Sequence, residues 1–90
     1  MIHVKRLILD VLKPRHPDVL QFAQTIAALA YGYQVNLTVM EMDDKTETLE
    51  LIVQGENVNL ELVEAAIQEM GGSVHSLDGV EVINITDEVD

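Results

Sequence analysis

VKRLILDVLK, residues 4–13, is the stretch on which the fold turns. Odd positions give Leu7, Leu9 and Val11. Even positions give Val4, Ile8 and Leu12, interrupted by Arg6 and Asp10. Successive residues of a strand point to opposite faces, so both faces of this strand are largely apolar. A strand of that kind needs cover on both sides. A chain of 90 residues supplies one layer of helices, so the second face, with Asp10 in its middle, calls for something more.

Beyond this strand, Pro14 and Pro17 turn the chain. Pro17 suits the first turn of a helix, with Asp18 at its positive end. Val19, Phe22, Ala23, Ile26, Ala27 and Ala30 then recur at helical spacing, and Gly32 is the natural stop. Gln34 to Met42 alternates, with Val35, Leu37 and Val39 on one side and Asn36, Thr38, Met40 and Met42 on the other. Thr46 to Gln54 alternates again, with Leu49, Leu51 and Val53 against Thr48, Glu50 and Ile52. Two such runs around Asp43-Asp44-Lys45 predict an antiparallel hairpin. Asn59 caps a second helix, whose stripe is Leu60, Val63, Ala66 or Ile67, and Met70, and Gly71-Gly72 ends it. Ser73 to Asp78 is then a short last strand broken at Gly79, and Val80 to Ile85 a further strand-like piece. Residues 1–85 read as a single domain and 86–90 as an acidic tail.

The order strand, helix, strand, strand, helix, strand, closed by right-handed crossovers, predicts an α+β ferredoxin-like βαββαβ sandwich. Its antiparallel sheet carries both helices on one face. The opposite face then gathers Ile8, Asp10, Leu12, Asn36, Thr38, Met40, Met42, Glu50 and Ile52, a mixed face whose Ile, Leu and Met form an apolar patch larger than monomers usually expose. Ile8, Asp10, Leu12, Met40, Met42 and Ile52 are the expected contact of a homo-oligomer.

Composition removes several functions. Five Lys and Arg stand against 16 Asp and Glu, a net charge of −11, which opposes nucleic acid and anionic membrane as partners. The predicted strands also carry no aromatic ring for base stacking. The absence of cysteine excludes disulfides, thiolate zinc sites and thiol catalysis. No apolar run approaches the ~20 residues of a membrane span, and no signal-peptide pattern is visible. A cytoplasmic protein is expected. An anion-cradling loop after the first strand would want glycines, whereas KPRHP has prolines, which lack the N–H donors.

Carboxylates remain. Glu41 and Asp43 flank the hairpin turn, Asp10 lies mid-strand, and His75 and Asp78 lie on the last strand. Oxygen ligands of this kind suit a divalent cation such as Ca²⁺ or Mg²⁺, and His75 suits a transition ion. The five residues are the candidate metal ligands. A carboxylate within an apolar strand costs free energy unless paired, so Asp10 is either an ion-pair partner at a subunit contact or a ligand. Catalysis by His75, Asp78 and Asp10 would need His75 and Asp78 on one face. Regular alternation places them on opposite faces, so a bulge would be required. Ser73 and Ser76 flank His75 without a nucleophile motif.

Three stretches together resemble a family: RLILDVLKPRHP at 6–17, VNLTVMEMDDKTETLELIVQG at 35–55 and GGSVHSLD at 71–78. They are similar to the small archaeal-type proteins catalogued as domain of unknown function 211. The resemblance implies a ferredoxin-like fold and ring-like homo-oligomers, and no established activity. On matching positions it draws attention to Asp10, Lys13, Pro14, Glu41, Asp43, His75, Ser76 and Asp78. The chain departs from the family pattern after Asp78, where it reads GVEVINITDEVD. The expected function is a non-enzymatic, homo-oligomeric binding or scaffolding protein. A divalent cation or small ligand would sit at its subunit boundaries. The alternative is an ACT-like regulatory module that clasps a small metabolite.

Overall fold

The computed structural model describes residues 1–86, and the expected acidic tail lies largely outside them. The elements are β1 (Ile2–Pro14), α1 (Val19–Ala27), β2 (Gln34–Met42), β3 (Thr46–Gln54), α2 (Leu60–Glu69) and β4 (Ser73–Asn84). They form one four-stranded sheet in the order β2-β3-β1-β4, with every neighbouring pair antiparallel. This is the ferredoxin-like α+β arrangement.

Local chemistry explains the boundaries. Asp18 caps α1 by accepting the Gln21 N–H at 2.8 Å, and Asn59 caps α2 by accepting the Leu62 N–H at 3.0 Å. Gly71 follows Met70, the cap of α2, at a φ of 87°, where a side chain would be strained. Helix α1 ends earlier than its periodicity suggests, at Ala27 with Ala28 as its cap, so Ala30 lies outside it and Gly32, at a φ of 85°, sits in the following turn, where the Tyr33 N–H donates to the Ala30 carbonyl at 3.3 Å. Gly72 has a different reason: a Cβ there would lie 2.9 Å from the Leu12 carbonyl oxygen.

The core lies between sheet and helices. Leu7, Leu9 and Val11 of β1 and Leu49, Leu51 and Val53 of β3 pack with Phe22 and Ile26 of α1 and Val63 and Ile67 of α2. The odd positions of β1 thus face the helices, as the alternation predicts. Two further features differ from the expectation. β4 is one strand from Ser73 to Asn84, continuous through Gly79. Opposite Gly79 lies Ile8, whose Cδ1 would be 2.9 Å from a Cβ at that position, so the glycine makes room for a neighbour and does not break the strand. In β2 the pairing slips between Val39 and Glu41, leaving Met40 as the extra residue of a bulge. Glu41 then lies opposite Thr48, and Met42 opposite Glu47. Paired residues share a face, so Met42 is turned to the helix side and Glu41 to the open side, the reverse of simple alternation.

Candidate site on the open sheet face

The sheet face opposite the helices has no covering element among the described residues. Ile8 and Ile52 are half-buried and cross-strand partners, Leu12 is 38% exposed and Met40 60% exposed. Beside them Asp10, Val11, Leu12, Thr48 and His75 line a cavity of about 150 Å³.

Bulges in β4 build this cavity. Asp10 pairs with Ser76 and Val11 with Val74, which leaves His75 as the extra residue. A second slip, between Ile8 and Leu9, leaves Asp78 unpaired in the same way. A bulge re-aims the side chains around it, and here it brings His75 beside Asp10. A bulge was the condition for His75 and Asp78 to share a face; β4 has two, yet only His75, and not Asp78, lines the cavity with Asp10. Asp78 is engaged locally, its carboxylate accepting the Ser76 hydroxyl at 2.7 Å. Asp10 has no hydrogen-bond or ion-pair partner among the described residues.

The other candidate carboxylates lie at the hairpin. Glu41 and Asp43 border a smaller recess with Met42, Thr46 and Thr48, so Thr48 stands between that recess and the Asp10 cavity. Asp43 is committed to its own turn. It accepts the N–H groups of Lys45 and Thr46 at 2.9 and 2.8 Å and the Thr46 hydroxyl at 3.2 Å. These hydrogen bonds, with the charge of Arg15 nearby, hold its carboxyl below the ordinary carboxylate value. Among the described residues no three Asp, Glu or His side chains converge as a cation site. The five predicted ligands therefore divide into Asp10 with His75, Asp78 with Ser76, and Glu41 and Asp43 at the turn.

One charged cluster was not anticipated. Lys13 is fully buried, and its ammonium lies 2.6 Å from Glu47 Oε1, whose own side chain is 9% exposed. This contact is an ion pair, and Glu47 Oε1 has no directed hydrogen bond besides. The ammonium donates to the Pro14 and Pro17 carbonyls at 2.7 and 2.5 Å and lies 5.9 Å from the centre of the Phe22 ring. KPRHP is thus a loop of inward carbonyls filled by the chain's own lysine. The signal was in the alternation: Lys13 extends the series Leu7, Leu9, Val11, and Glu47 begins the series Leu49, Leu51, Val53. The two lie opposite one another on the covered face.

Comparison with known proteins agrees with the three stretches that suggested a family. The family model DUF211, described as "Uncharacterized ArCR", matches residues 5–89. The chain belongs to this family. It is also similar to an uncharacterized protein, MJ0319, of Methanocaldococcus jannaschii. The two are 34% identical over 77 residues, covering 86% of this chain and 79% of the relative. The DUF211 match runs through the divergent GVEVIN segment. No helix among the described residues is long and apolar enough to cross a membrane.

Proposed function

We propose that this DUF211 protein is a non-enzymatic, homo-oligomeric binding or scaffolding protein of the cytoplasm. Copies meet through the open sheet face and hold a divalent cation or small ligand there. The observation that carries this reading is the open face itself, where an apolar patch adjoins an unpartnered carboxylate and a histidine around one cavity. Covering Ile8, Leu12 and Ile52 is favourable at about 25 cal/mol per Å² of apolar surface. Covering Asp10 without a cation is not. An occupant of this face therefore brings positive charge, either Lys5 or Arg6 of a neighbouring copy or a bound ion. Asp10 and Thr48 offer oxygens for Ca²⁺ or Mg²⁺, and His75 adds a nitrogen for a transition ion. A non-enzymatic role is favoured because the Ser76 hydroxyl is given to Asp78 and is not set against His75 as a base.

Native mass spectrometry of metal-stripped protein, with Ca²⁺, Mg²⁺, Mn²⁺ or Zn²⁺ added in turn, tests this. The expected result is one discrete oligomer that takes up a stoichiometric ion, with uptake lost in Asp10→Asn. An oligomer with no uptake removes the cation and leaves the scaffold. A monomer without metal removes both and moves the reading to the ACT-like module, which a thermal-shift screen of metabolites would then examine.

A further inference from the structure

We infer that the small ligand of the open face is a free aliphatic diamine or polyamine, with one ammonium between Asp10 and Glu50 and the next at Glu41. The inference rests on the reading of this face as a ligand site and names the ligand's class. Register is its starting point. Asp10 of β1 lies directly opposite Glu50 of β3, and cross-strand partners share a face. Like charges so placed are destabilising.

The chain's own cations do not resolve this pair. Lys5 is paired with Glu56 and Lys13 with Glu47, and Arg15 donates to the Asp43 carbonyl. Arg6 is on the open face, but it lies opposite Glu81 of β4, and Ile8 separates it from Asp10 along β1. Lys45 stands at the hairpin turn. Opposite charges are thus matched at the Arg6 end of the face, and carboxylates alone are gathered at the other.

Two recesses meet at that acidic end. The cavity that Asp10 lines and a smaller recess of about 60 Å³ that Glu41 lines both include Thr48. Thr48 pairs with Leu12 on one side and Glu41 on the other. Glu41 is therefore one row along the face from Glu50, a diagonal neighbour at about 7–8 Å.

Chemistry selects the occupant. An anion is repelled, and an apolar ligand would cover the carboxylates without satisfying them. A hard metal ion gathers about six to eight oxygens around one point, whereas no three Asp, Glu or His side chains converge among the described residues. Carboxylates spaced across a partly apolar surface suit a ligand whose charges are themselves spaced by methylenes. An ammonium has three donors, which Asp10, Glu50 and the Thr48 hydroxyl receive at one end. The methylenes then run over Thr48 and Leu12, and the second ammonium reaches Glu41. A net charge of −11 draws such a polycation to the protein.

Isothermal titration calorimetry with putrescine, cadaverine and spermidine, set against butylamine, Mg²⁺ and Ca²⁺, tests this. Stoichiometric binding of a diamine or triamine is expected, about tenfold or more tighter than butylamine. Glu50→Gln is expected to weaken every amine about tenfold, and Glu41→Gln to weaken the diamines and spermidine alone. Both positions are exposed, and circular dichroism checks that each variant keeps the fold. Glu61→Gln, exposed on α2, controls for bulk charge and is expected to leave binding unchanged. Metal uptake without amine binding overturns this inference and leaves the ligand reading standing. No uptake of either overturns both. Equal losses in Glu50→Gln and Glu61→Gln overturn the site in favour of general attraction to an acidic protein. Equal affinity for butylamine and the diamines overturns the contact at Glu41, and the diamine class with it.

Discussion

Lys13 and Asp10 sit three residues apart on β1, on opposite faces of the sheet, in opposite circumstances. Lys13 lies on the covered face with an ion-pair partner, inward carbonyls and an aromatic ring around its ammonium. Asp10 lies half-buried on the open face with no partner among the described residues. A buried charge that is fully engaged belongs to the folded monomer. A charge left unengaged on a partly apolar surface is, under the proposal above, the group that a ligand or a second copy would meet. The buried charge of the covered face is satisfied within one chain, whereas Asp10 on the open face has no such partner among the described residues.

The largest break in this comparison comes from removing Lys13. Lys13→Met strands the Glu47 carboxylate in the core and empties the carbonyl cradle, so a loss of about 3–5 kcal/mol is expected in urea unfolding. Lys13→Met combined with Glu47→Leu removes both charges and is expected to recover a large part of it. If the single and double variants lose equally, the ion pair is not what holds Lys13 in place.

Next in size are paired truncations across β1. Leu9→Ala on the covered face, at a site with no exposed surface, is expected to cost about 2–5 kcal/mol. Leu12→Ala, 38% exposed on the open face, is expected to cost about 1 kcal/mol in a monomer, because much of the side chain is already in water. Covering of the open face by a second copy would raise the Leu12→Ala cost and make it depend on protein concentration. That dependence separates an open face from an occupied one.

The covered face was readable because its evidence is periodic. Leu7, Leu9, Val11 and the matching series in β2 and β3 alternate without interruption, and such alternation has one solution against an amphipathic helix. The same periodicity extended to Lys13 and Glu47, but a charged residue at the end of an apolar series reads as the strand leaving the core. Here a loop folds carbonyls over the ammonium, and no spacing rule encodes that. The candidate site was harder because it depends on register. The bulges at Met40, His75 and Asp78 each insert one residue, and nothing in VNLTVMEMDD or GGSVHSLDGV marks where a slip falls. Alternation therefore placed Met42 on the open face and Glu41 away from it, and broke β4 at Gly79, a residue that serves to admit Ile8.

The smallest effects are in the carboxylates. Asp10→Asn is expected to change monomer stability by no more than about 0.5 kcal/mol in either direction, since no partner is lost. A larger loss on the same measurement would mean that Asp10 is engaged after all. Asp43 gives the contrast through pH. Its turn favours the ionised form, so its folded value lies below the ordinary 3.8. A lowered folded value means the unfolded chain binds the proton more readily, so acid favours unfolding. The contribution of Asp43 is therefore fully present above the unfolded value and disappears as pH falls through the folded one. Thermal melts of wild type and Asp43→Ala between pH 6 and pH 2 should differ by a constant amount at the upper end and converge at the lower. Because both proteins share every other carboxylate, subtracting the two curves isolates this one turn. A difference that stays constant down to pH 2 would show that Asp43 acts through its shape and not through its charge.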